Sequence, residues 1–186
     1  MNDTLFAPLD CESGGLIPGV SLLSMHMAIC DAHFNIIDEI ELMTKPNDGH
    51  YLVSAEALEV NGIDLINHDK IALTYSAAGQ ELRNFIWKYS RNGAIKLVPV
   101  GKNVAGDVKW INDNLLGEKT WKQFMSYRNY DITSLVIYCK RTGKIPNDAP
   151  ESLSGIAKFL GIDAEWHTAR GDNYAGIAVV KKLESL

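Results

Sequence analysis

The stretch LFAPLDCESGGL, residues 5–16, decides the fold that we expect for this chain. It begins as a short apolar run typical of a strand and ends in two acids, Asp10 and Glu12, followed by glycines. Because successive side chains of a strand point to opposite faces, Asp10 and Glu12 share one face and Cys11 points into the core. Two adjacent carboxylates repel each other, and desolvation raises their pKa values unless cations neutralise them. The stretch therefore predicts a strand that ends at a metal site.

Two later segments carry residues of the same chemistry. The segment GKNVAGD, residues 101–107, follows a continuous apolar run, and HTARGD spans residues 167–172. Two Mg²⁺ ions about 3.5–4 Å apart can stabilise the attacking and leaving oxygens of a phosphodiester, and a nearby His can deprotonate the attacking water. The segments therefore predict a two-metal phosphodiesterase. Its predicted residues are the carboxylates Asp10, Glu12, Asp107 and Asp172 and the imidazole His167.

Composition limits the class of protein. The chain has 186 residues, of which 46% are hydrophobic, so we expect one domain over residues 1–186 with a full core. The net charge of -5 differs from the positive charge typical of nucleic-acid-binding domains. An enzyme that binds a polyanion through metal ions does not need a positively charged surface. Three widely spaced cysteines argue against a disulfide framework and for a reducing compartment.

We expect a soluble, cytoplasmic protein that does not contact membranes. Residues 1–10 hold no positive charge and lead straight into the first motif, which argues against a secretory signal. The most apolar stretch, residues 20–30, is too short to span a bilayer. His26, Cys30 and His33 lack a second ligand pair with structural-zinc spacing, so we expect no zinc site there.

The periodicity of apolar residues predicts strands first and then alternating strands and helices, which indicates an α/β or α+β domain with a mixed sheet. We predict an antiparallel meander from the first three strands, Ser54 as a helix N-cap, and Asn61-Gly62 as a helix stop. Residues 117–130 fit no pattern. The predicted strands are 5–10, 21–30, 35–43 and 95–100, and the predicted helices are 55–60, 77–89, one that carries Asp107, 131–140, one from 150–153 onward, and 172–183.

The ordered motifs resemble those of the DEDDh family of 3′–5′ exonucleases, which includes polymerase proofreading subunits, ribonuclease T and oligoribonuclease. The family pattern D-x-E, small residue, Gly-hydrophobic is similar to residues 10–16, and G-x-N-x-x-x-D is similar to residues 101–107. The pattern H-x-x-x-x-D at the start of the last helix is similar to residues 167–172, and a helix that ends in Gly-Ile is similar to Gly62-Ile63. The chain departs from the family at Gly106, where many members carry an aromatic residue, and at Arg170-Gly171.

The resemblance implies an RNase H-like fold, a central mixed β-sheet flanked by α-helices. It implies that Asp10, Glu12 and Asp172 bind the Mg²⁺ or Mn²⁺ ion that holds the nucleophilic water. Asp10 and Asp107 would then bind a second ion against the scissile phosphate, and His167 would be the general base. The spacing of His167 and Asp172 is compatible with these roles. If Asp172 lies in the first turn of the last helix and His167 on the loop before it, both can face the same cleft, because the loop can bend freely at Gly171.

The resemblance also implies where the substrate binds. The segment from Ser13 through Gly15 to Leu16 would line the pocket for the 3′-terminal nucleotide, with Leu16 against its base or sugar. Asn103 would contact the substrate or brace the second motif. Trp166 is a candidate for stacking on a base, and Arg170 is a candidate for contact with a phosphate, because both adjoin motif residues.

These residues predict an exonuclease that releases nucleoside 5′-monophosphates from the 3′ ends of single-stranded DNA or RNA. The alternative is a non-catalytic 3′-end-binding module or polymerase-associated subunit with the same fold. The sequence leaves the choice between DNA and RNA open, because contact with the 2′-hydroxyl depends on pocket geometry. Because small relatives of this type are often dimers, the resemblance leaves a homodimer open as well.

Overall fold

A single mixed sheet organises the part of the chain that the computed structural model describes, residues 4–17 and 19–186. Its strands are β1 (Phe6–Ser13), β2 (Leu22–Cys30), β3 (Ile36–Lys45), β4 (Leu73–Thr74), β5 (Val98–Gly101) and β6 (Tyr130–Asp131). They lie in the order β4-β3-β2-β1-β5-β6. β2 is antiparallel to β1 and β3, whereas β5 is parallel to β1 and to β6. The predicted α/β class with a mixed sheet is confirmed.

Helices flank this sheet. Those in the described residues are α1 (Ala55–Asn61), α2 (Leu65–Ile71), α3 (Tyr75–Tyr89), α4 (Ala105–Ile111), α5 (Glu118–Phe124), α6 (Ile132–Arg141), α7 (Leu153–Phe159) and α8 (Ala169–Glu184), and a π-helical turn (Asn112–Leu116) continues α4. None of the helices in residues 4–17 and 19–186 has the length and apolar character that a membrane crossing requires.

The antiparallel meander predicted from the first 45 residues is confirmed. β2 is buried along its whole length because it lies between β1 and β3 and is covered on both faces. β1 pairs with β2 so that Asp10 lies opposite His26 and Glu12 lies opposite Ser24. This register places the two acids of β1 on the face of the sheet that carries His26.

Local capping explains why α1 was predictable. The Ser54 side chain accepts a hydrogen bond from the backbone N–H of Ala57, and Gly62 ends the helix in the left-handed conformation with φ of 66°. Both features follow from residue type, since a Ser hydroxyl caps helix N-termini and Gly tolerates positive φ. The predicted helix at 77–89 is also confirmed as α3, which begins two residues earlier behind the cap Thr74.

Two short helices escaped the sequence analysis for a physical reason. Within α2, Asp64 caps the first turn, but Ile66 and Ile71 are exposed and His68 is the buried side chain, so apolar periodicity is missing. Within α5, the residue at the N-cap is Gly117, which makes no side-chain capping bond. That helix is fixed by burial of an aromatic side chain, Trp121, which local propensity does not indicate.

The core has two halves, one on each face of the sheet. One half packs α3, α4 and α5 against the side chains of β1 and β2 that include Leu9 and Met25. The other half packs α6, α7 and α8 against the opposite face, with Ala28 and Cys30 of β2 and Val180 of α8. Asp10 and Glu12 lie on the α8 face, because Leu9 and Cys11 occupy the first half.

A glycine contact between α3 and the π-helical turn generates a stability prediction. A Cβ atom at Gly79 would lie 2.3 Å from the carbonyl oxygen of Leu115, so Gly79→Ala forces two backbone segments apart. We expect a loss of about 1–3 kcal/mol in the free energy of unfolding, despite the higher helix propensity of Ala. The control is Gly106→Ala in α4, where no heavy atom lies within 4 Å of the added Cβ. Urea denaturation that ranks the two variants equally would contradict this packing.

Candidate active site

β1 presents two acids to the α8 face of the sheet. Asp10 and Glu12 are half-buried side chains two residues apart, so the strand periodicity places both on that face. Cys11, between them, packs against the core on the opposite face, as the sequence predicts. Its thiol pKa is raised by burial and by the neighbouring acids, which excludes a reactive thiolate.

The third acid comes from the first turn of α8. Asp172 belongs to this turn, and α8 packs along β1 and β2. One carboxylate oxygen from each of Asp10, Glu12 and Asp172 lies within 4.8 Å of the others. Three carboxylate oxygens at this separation can bind a single divalent cation.

Asp107 approaches the same point from α4. β5 is the parallel neighbour of β1, and α4 follows it after a turn, so its first turn lies beside the end of β1. Gly101 permits this approach, because a Cβ atom there would lie 2.9 Å from the carbonyl oxygen of Leu9. The backbone of Cys11 in β1 opposes part of the rise in the pKa of Asp107, as expected for a neighbouring N–H group. Asp107 raises the pKa of Asp10, as expected for two acids at one site.

His167 lies on the turn that leads into α8. Its backbone has a φ of 65°, the left-handed region that a residue with a Cβ rarely adopts. His167 opposes the rise in the pKa of Asp172, as expected for a neighbouring residue, and its ring is solvent-exposed. His167 therefore adjoins the acidic cluster and remains open to a substrate.

The expectation that the segment bends freely at Gly171 is wrong. The last helix begins at Ala169, three residues earlier than predicted, because Thr168 accepts the hydrogen bond from the backbone N–H of Gly171 at 3.0 Å. A Cβ atom at Gly171 would lie 1.7 Å from the carbonyl oxygen of Glu165. Gly171 is therefore needed because the His167 turn packs tightly on the helix.

Burial raises the pKa of every acid in the cluster, and repulsion between acids adds to the rise at Asp10, Glu12 and Asp107. Burial, followed by Asp107, Asp172 and Glu12, holds the pKa of Asp10 well above its usual range. Burial and the charge of Asp172 raise the pKa of Glu12 to about 7, and burial likewise raises that of Asp107 to about 7. For Asp172, burial raises the pKa while His167 opposes the shift. The donor set fits divalent cations, because bound cations would remove the repulsion that these shifts reflect.

A groove adjoins the cluster at the end of β1. Its volume is about 470 Å³, and the predicted substrate-binding residues Ser13, Gly15 and Leu16 form one wall. Leu16 is fully exposed, and the opposite wall is α1 with Val60. The N-cap of α1 is held here because the backbone N–H of Ser54 donates to the carbonyl of Gly14 at 2.7 Å. A contribution of α1 to this groove was not predicted, since only the tertiary fold brings it there.

The other candidate substrate contacts have protein partners in the structure. Asn103 has a φ of 53°, and its side-chain oxygen accepts a hydrogen bond from Thr133 at 3.0 Å, which is the bracing arrangement. Trp166 is half-buried and packs against the second half of the core. Arg170 pairs with Glu41 at 2.8 Å. Their roles toward a substrate remain predictions.

Comparison with known proteins relates this geometry to one fold. No family model matches the chain, and no curated protein matches it. The chain superposes on a solved structure of exonuclease I with a TM-score of 0.80, covering 98% of this chain at 18% identity. The chain has the exonuclease I fold. The RNase H-like architecture that the DEDDh resemblance implies is thereby confirmed.

Further solved structures of exonuclease I give the same result. The complex of the E. coli enzyme with a dT13 oligonucleotide superposes with a TM-score of 0.80 over 98% of this chain at 20% identity. The zinc-ion-bound form of the E. coli enzyme with single-stranded DNA has the same TM-score and identity over 99%. The chain spans 41% of the length of exonuclease I in each case. At this identity the similarity shows the fold.

The raised pKa values predict that the metal-free protein loses stability as pH rises. Glu12 and Asp107 keep their protons to about pH 7 when folded but release them near pH 4 when unfolded, so their contribution to the free energy of unfolding is lost from about pH 4 to about pH 7. Burial lowers the folded pKa of His26 to about 4, so His26 opposes one of these two acids up to its unfolded pKa of about 6.5. With EDTA, the urea midpoint should fall between about pH 5 and about 7, and Mn²⁺ should restore it at about pH 7.

Glu12→Gln is the matched variant for that measurement. Its neutral amide has no proton to lose, so its midpoint in EDTA should fall less than that of the parent protein over the same pH range. A urea midpoint that rises with pH in EDTA, or that changes with pH equally in the variant and the parent, would contradict repulsion among the acids as the cause.

Substitution of Gly171 tests the packing of the His167 turn. Gly171→Ala places a methyl group against the Glu165 carbonyl, so the turn must move away from α8. For the single-strand hydrolysis that the sequence predicts, we expect a rate about 10-fold or more below that of the parent, because small misplacements of reacting groups are costly. Gly106→Ala, which adds a methyl group in open space beside Asp107, should keep the parent rate. Equal rates for Gly171→Ala and the parent would contradict a role for this packing.

Proposed function

We propose that this chain is a metal-dependent 3′–5′ exonuclease that hydrolyses phosphodiester bonds at the 3′ ends of single-stranded DNA or RNA and releases nucleoside 5′-monophosphates. The observation that carries the proposal is the convergence of Asp10, Glu12 and Asp172 within 4.8 Å on an exonuclease I fold. Asp107 and His167 adjoin the same point. The proposal extends to a single catalytic domain over residues 1–186.

The four acids would hold two Mg²⁺ or Mn²⁺ ions. Asp10, Glu12 and Asp172 would bind one, and Asp10 and Asp107 the other, which accounts for the placement of Asp10 between the remaining acids. Such ions lower the pKa of bound water and stabilise charge on a phosphoryl oxygen. The contribution of the protein is to hold four oxygens together against their repulsion and to exclude bulk water from one side.

His167 is the proposed general base. Its ring is exposed beside Asp172, so it can accept the proton of a water that attacks a bound phosphate. Its turn is held against α8 by the close approach of Gly171 to the Glu165 carbonyl. A general base of this kind contributes about 10²–10⁴ in rate.

The groove between β1 and α1 is the proposed site of the 3′-terminal nucleotide. Exposed Leu16 and Val60 offer apolar contact to a base or sugar, and Ser13 and Gly15 offer backbone groups. Exonuclease I has been solved with a dT13 oligonucleotide, which supports a single strand as the substrate class. Trp166 and Arg170 would contact upstream nucleotides if a substrate displaced their present partners.

Three thiols, Cys11, Cys30 and Cys139, are free. Free thiols fit a reducing compartment, so we propose a cytoplasmic enzyme. A homodimer remains a proposal from the family resemblance, and light scattering of the purified chain would test it.

The decisive assay uses 5′-labelled single-stranded DNA and RNA of equal sequence with Mg²⁺, Mn²⁺ or EDTA. We expect a metal-dependent ladder that shortens from the 3′ end. Asp10→Ala should abolish it, because Asp10 serves both proposed ions, and His167→Ala should slow it about 100-fold or more with Mn²⁺ binding largely kept. Asp148→Ala, an exposed acid in the loop between α6 and α7, is the control and should keep the parent rate.

The alternative is a non-catalytic module that binds 3′ ends. Tight binding of an oligonucleotide with a free 3′ end, without turnover in Mn²⁺, would favour that module over the enzyme. Folded, metal-loaded protein that neither cleaves nor binds a single strand would contradict both.

A further inference from the structure

A buried hydrogen-bond cluster behind the acidic site joins α8 to two strands. The side-chain nitrogen of Asn173 lies 2.9 Å from the carbonyl oxygen of Pro8 in β1 and 2.9 Å from Nδ1 of His26 in β2. Asn173 is 4% exposed and His26 is fully buried. Asn173 directly follows Asp172, and Pro8 lies two residues before Asp10. The cluster therefore connects α8 and β1, which supply Asp172, Asp10 and Glu12.

The partners of Asn173 determine the proton positions. A carbonyl oxygen only accepts hydrogen bonds, so the amide nitrogen of Asn173, not its oxygen, must face Pro8. The second proton of the same nitrogen then points to Nδ1 of His26, which must accept it. His26 is therefore neutral, with its proton on Nε2. Its lowered pKa, caused by burial, agrees with this assignment.

Nε2 of His26 has no hydrogen-bond partner among the described residues. The nearest acid, Glu39, lies 3.7 Å away and instead accepts a hydrogen bond from Tyr174 at 2.6 Å. An unpaired buried N–H destabilises the folded protein, so a histidine at this position is unfavourable unless its Nδ1 contact is needed.

Polar contacts also join the first turns of α8 to the sheet. Arg170 pairs with Glu41, Asn173 bonds to His26, and Tyr174 bonds to Glu39. These three α8 residues are spaced i, i+3 and i+4, so they share one helix face toward β2 and β3. Of the three residues, Asn173 is the buried one, and it also bonds to β1. Because it directly follows Asp172, its contacts have the greatest influence on the position of Asp172.

We propose that Asn173 and His26 are positioning residues that set the distance between Asp172 and the acids of β1, and through it the affinity of the site for divalent cations. This inference rests on the proposed function, because it takes the acidic cluster to be a metal site. Asp172 lies within 4.8 Å of Asp10 and Glu12 and repels both, so hydrogen bonds that hold α8 to β1 and β2 would keep Asp172 close to these acids. Partners that orient metal ligands typically change metal affinity or activity by about 10–100-fold when removed.

A pair of nearly isosteric variants separates the hydrogen bond from mere packing. His26→Asn can place its side-chain oxygen close to the position of Nδ1 and accept the Asn173 bond, whereas His26→Leu has a similar shape and no acceptor. We expect His26→Leu to weaken Mn²⁺ binding by about 10–100-fold and His26→Asn to keep most of the affinity. Free Mn²⁺, followed by its electron paramagnetic resonance signal without substrate, gives the affinity directly.

A second variant removes the same hydrogen bonds by changing Asn173 on α8. Asn173→Asp keeps the shape but replaces the donating nitrogen with a carboxylate oxygen that faces the Pro8 carbonyl. We expect it to weaken Mn²⁺ binding at least as much as His26→Leu and to lower kcat on an oligonucleotide with little change in KM. His68→Leu is the control, since His68 is also a buried histidine, bonded to the Thr44 carbonyl at 3.0 Å on β3. It should lower stability and leave Mn²⁺ affinity unchanged.

The outcomes distinguish this inference from the proposed function. Parent protein that binds no Mn²⁺ would remove the metal site and the tether together. Parent protein that binds Mn²⁺ while folded His26→Leu and Asn173→Asp bind it equally well would overturn the tether and leave the exonuclease proposal standing. Equal losses in His26→Leu, His26→Asn and His68→Leu would assign the effect to general destabilisation and would likewise overturn it.

Discussion

Electrostatic repulsion among four half-buried carboxyl groups is the constraint on which the rest of the structure depends. Asp10 and Glu12 share one face of β1 because they are two residues apart on a strand. Asp107 and Asp172 approach them from the first turns of α4 and α8. Burial raises the pKa of each acid, so the folded chain without cations holds protons that the unfolded chain would release. Such an arrangement is unfavourable in itself, and bound cations would neutralise the repulsion between the acids.

Close backbone packing keeps the acids together. Gly101 lets the turn before α4 approach β1, and Gly171 lets the turn of His167 lie against α8, each through contacts that a Cβ atom would prevent. Behind the acids, Asn173 and His26 bond α8 to β1 and β2. The glycine contacts are close and the Asn173 hydrogen bonds are directional, and both oppose the repulsion that would otherwise push the acids apart.

The sequence predicted most of the elements for reasons that are local. Apolar runs and alternation indicated β1, β2 and β3, and caps such as Ser54 indicated where helices begin. The prediction was incomplete for α2, whose isoleucines are exposed, and wrong about Gly171, whose role depends on a carbonyl that local pattern does not reveal. The acids and His167 could be named from their motifs, although their roles as ligands and base stay predictions.

The sequence by itself determined which residue types stand at which spacing, because strand and helix periodicity are set by the backbone. It thereby determined that Asp10 and Glu12 face one way and Cys11 the other. Only the tertiary structure decided that α1 forms a wall of the groove, that Arg170 pairs with Glu41, and that Asn173 reaches Pro8 and His26. Those contacts join residues as many as 165 positions apart, and their geometry arises when the sheet and helices pack.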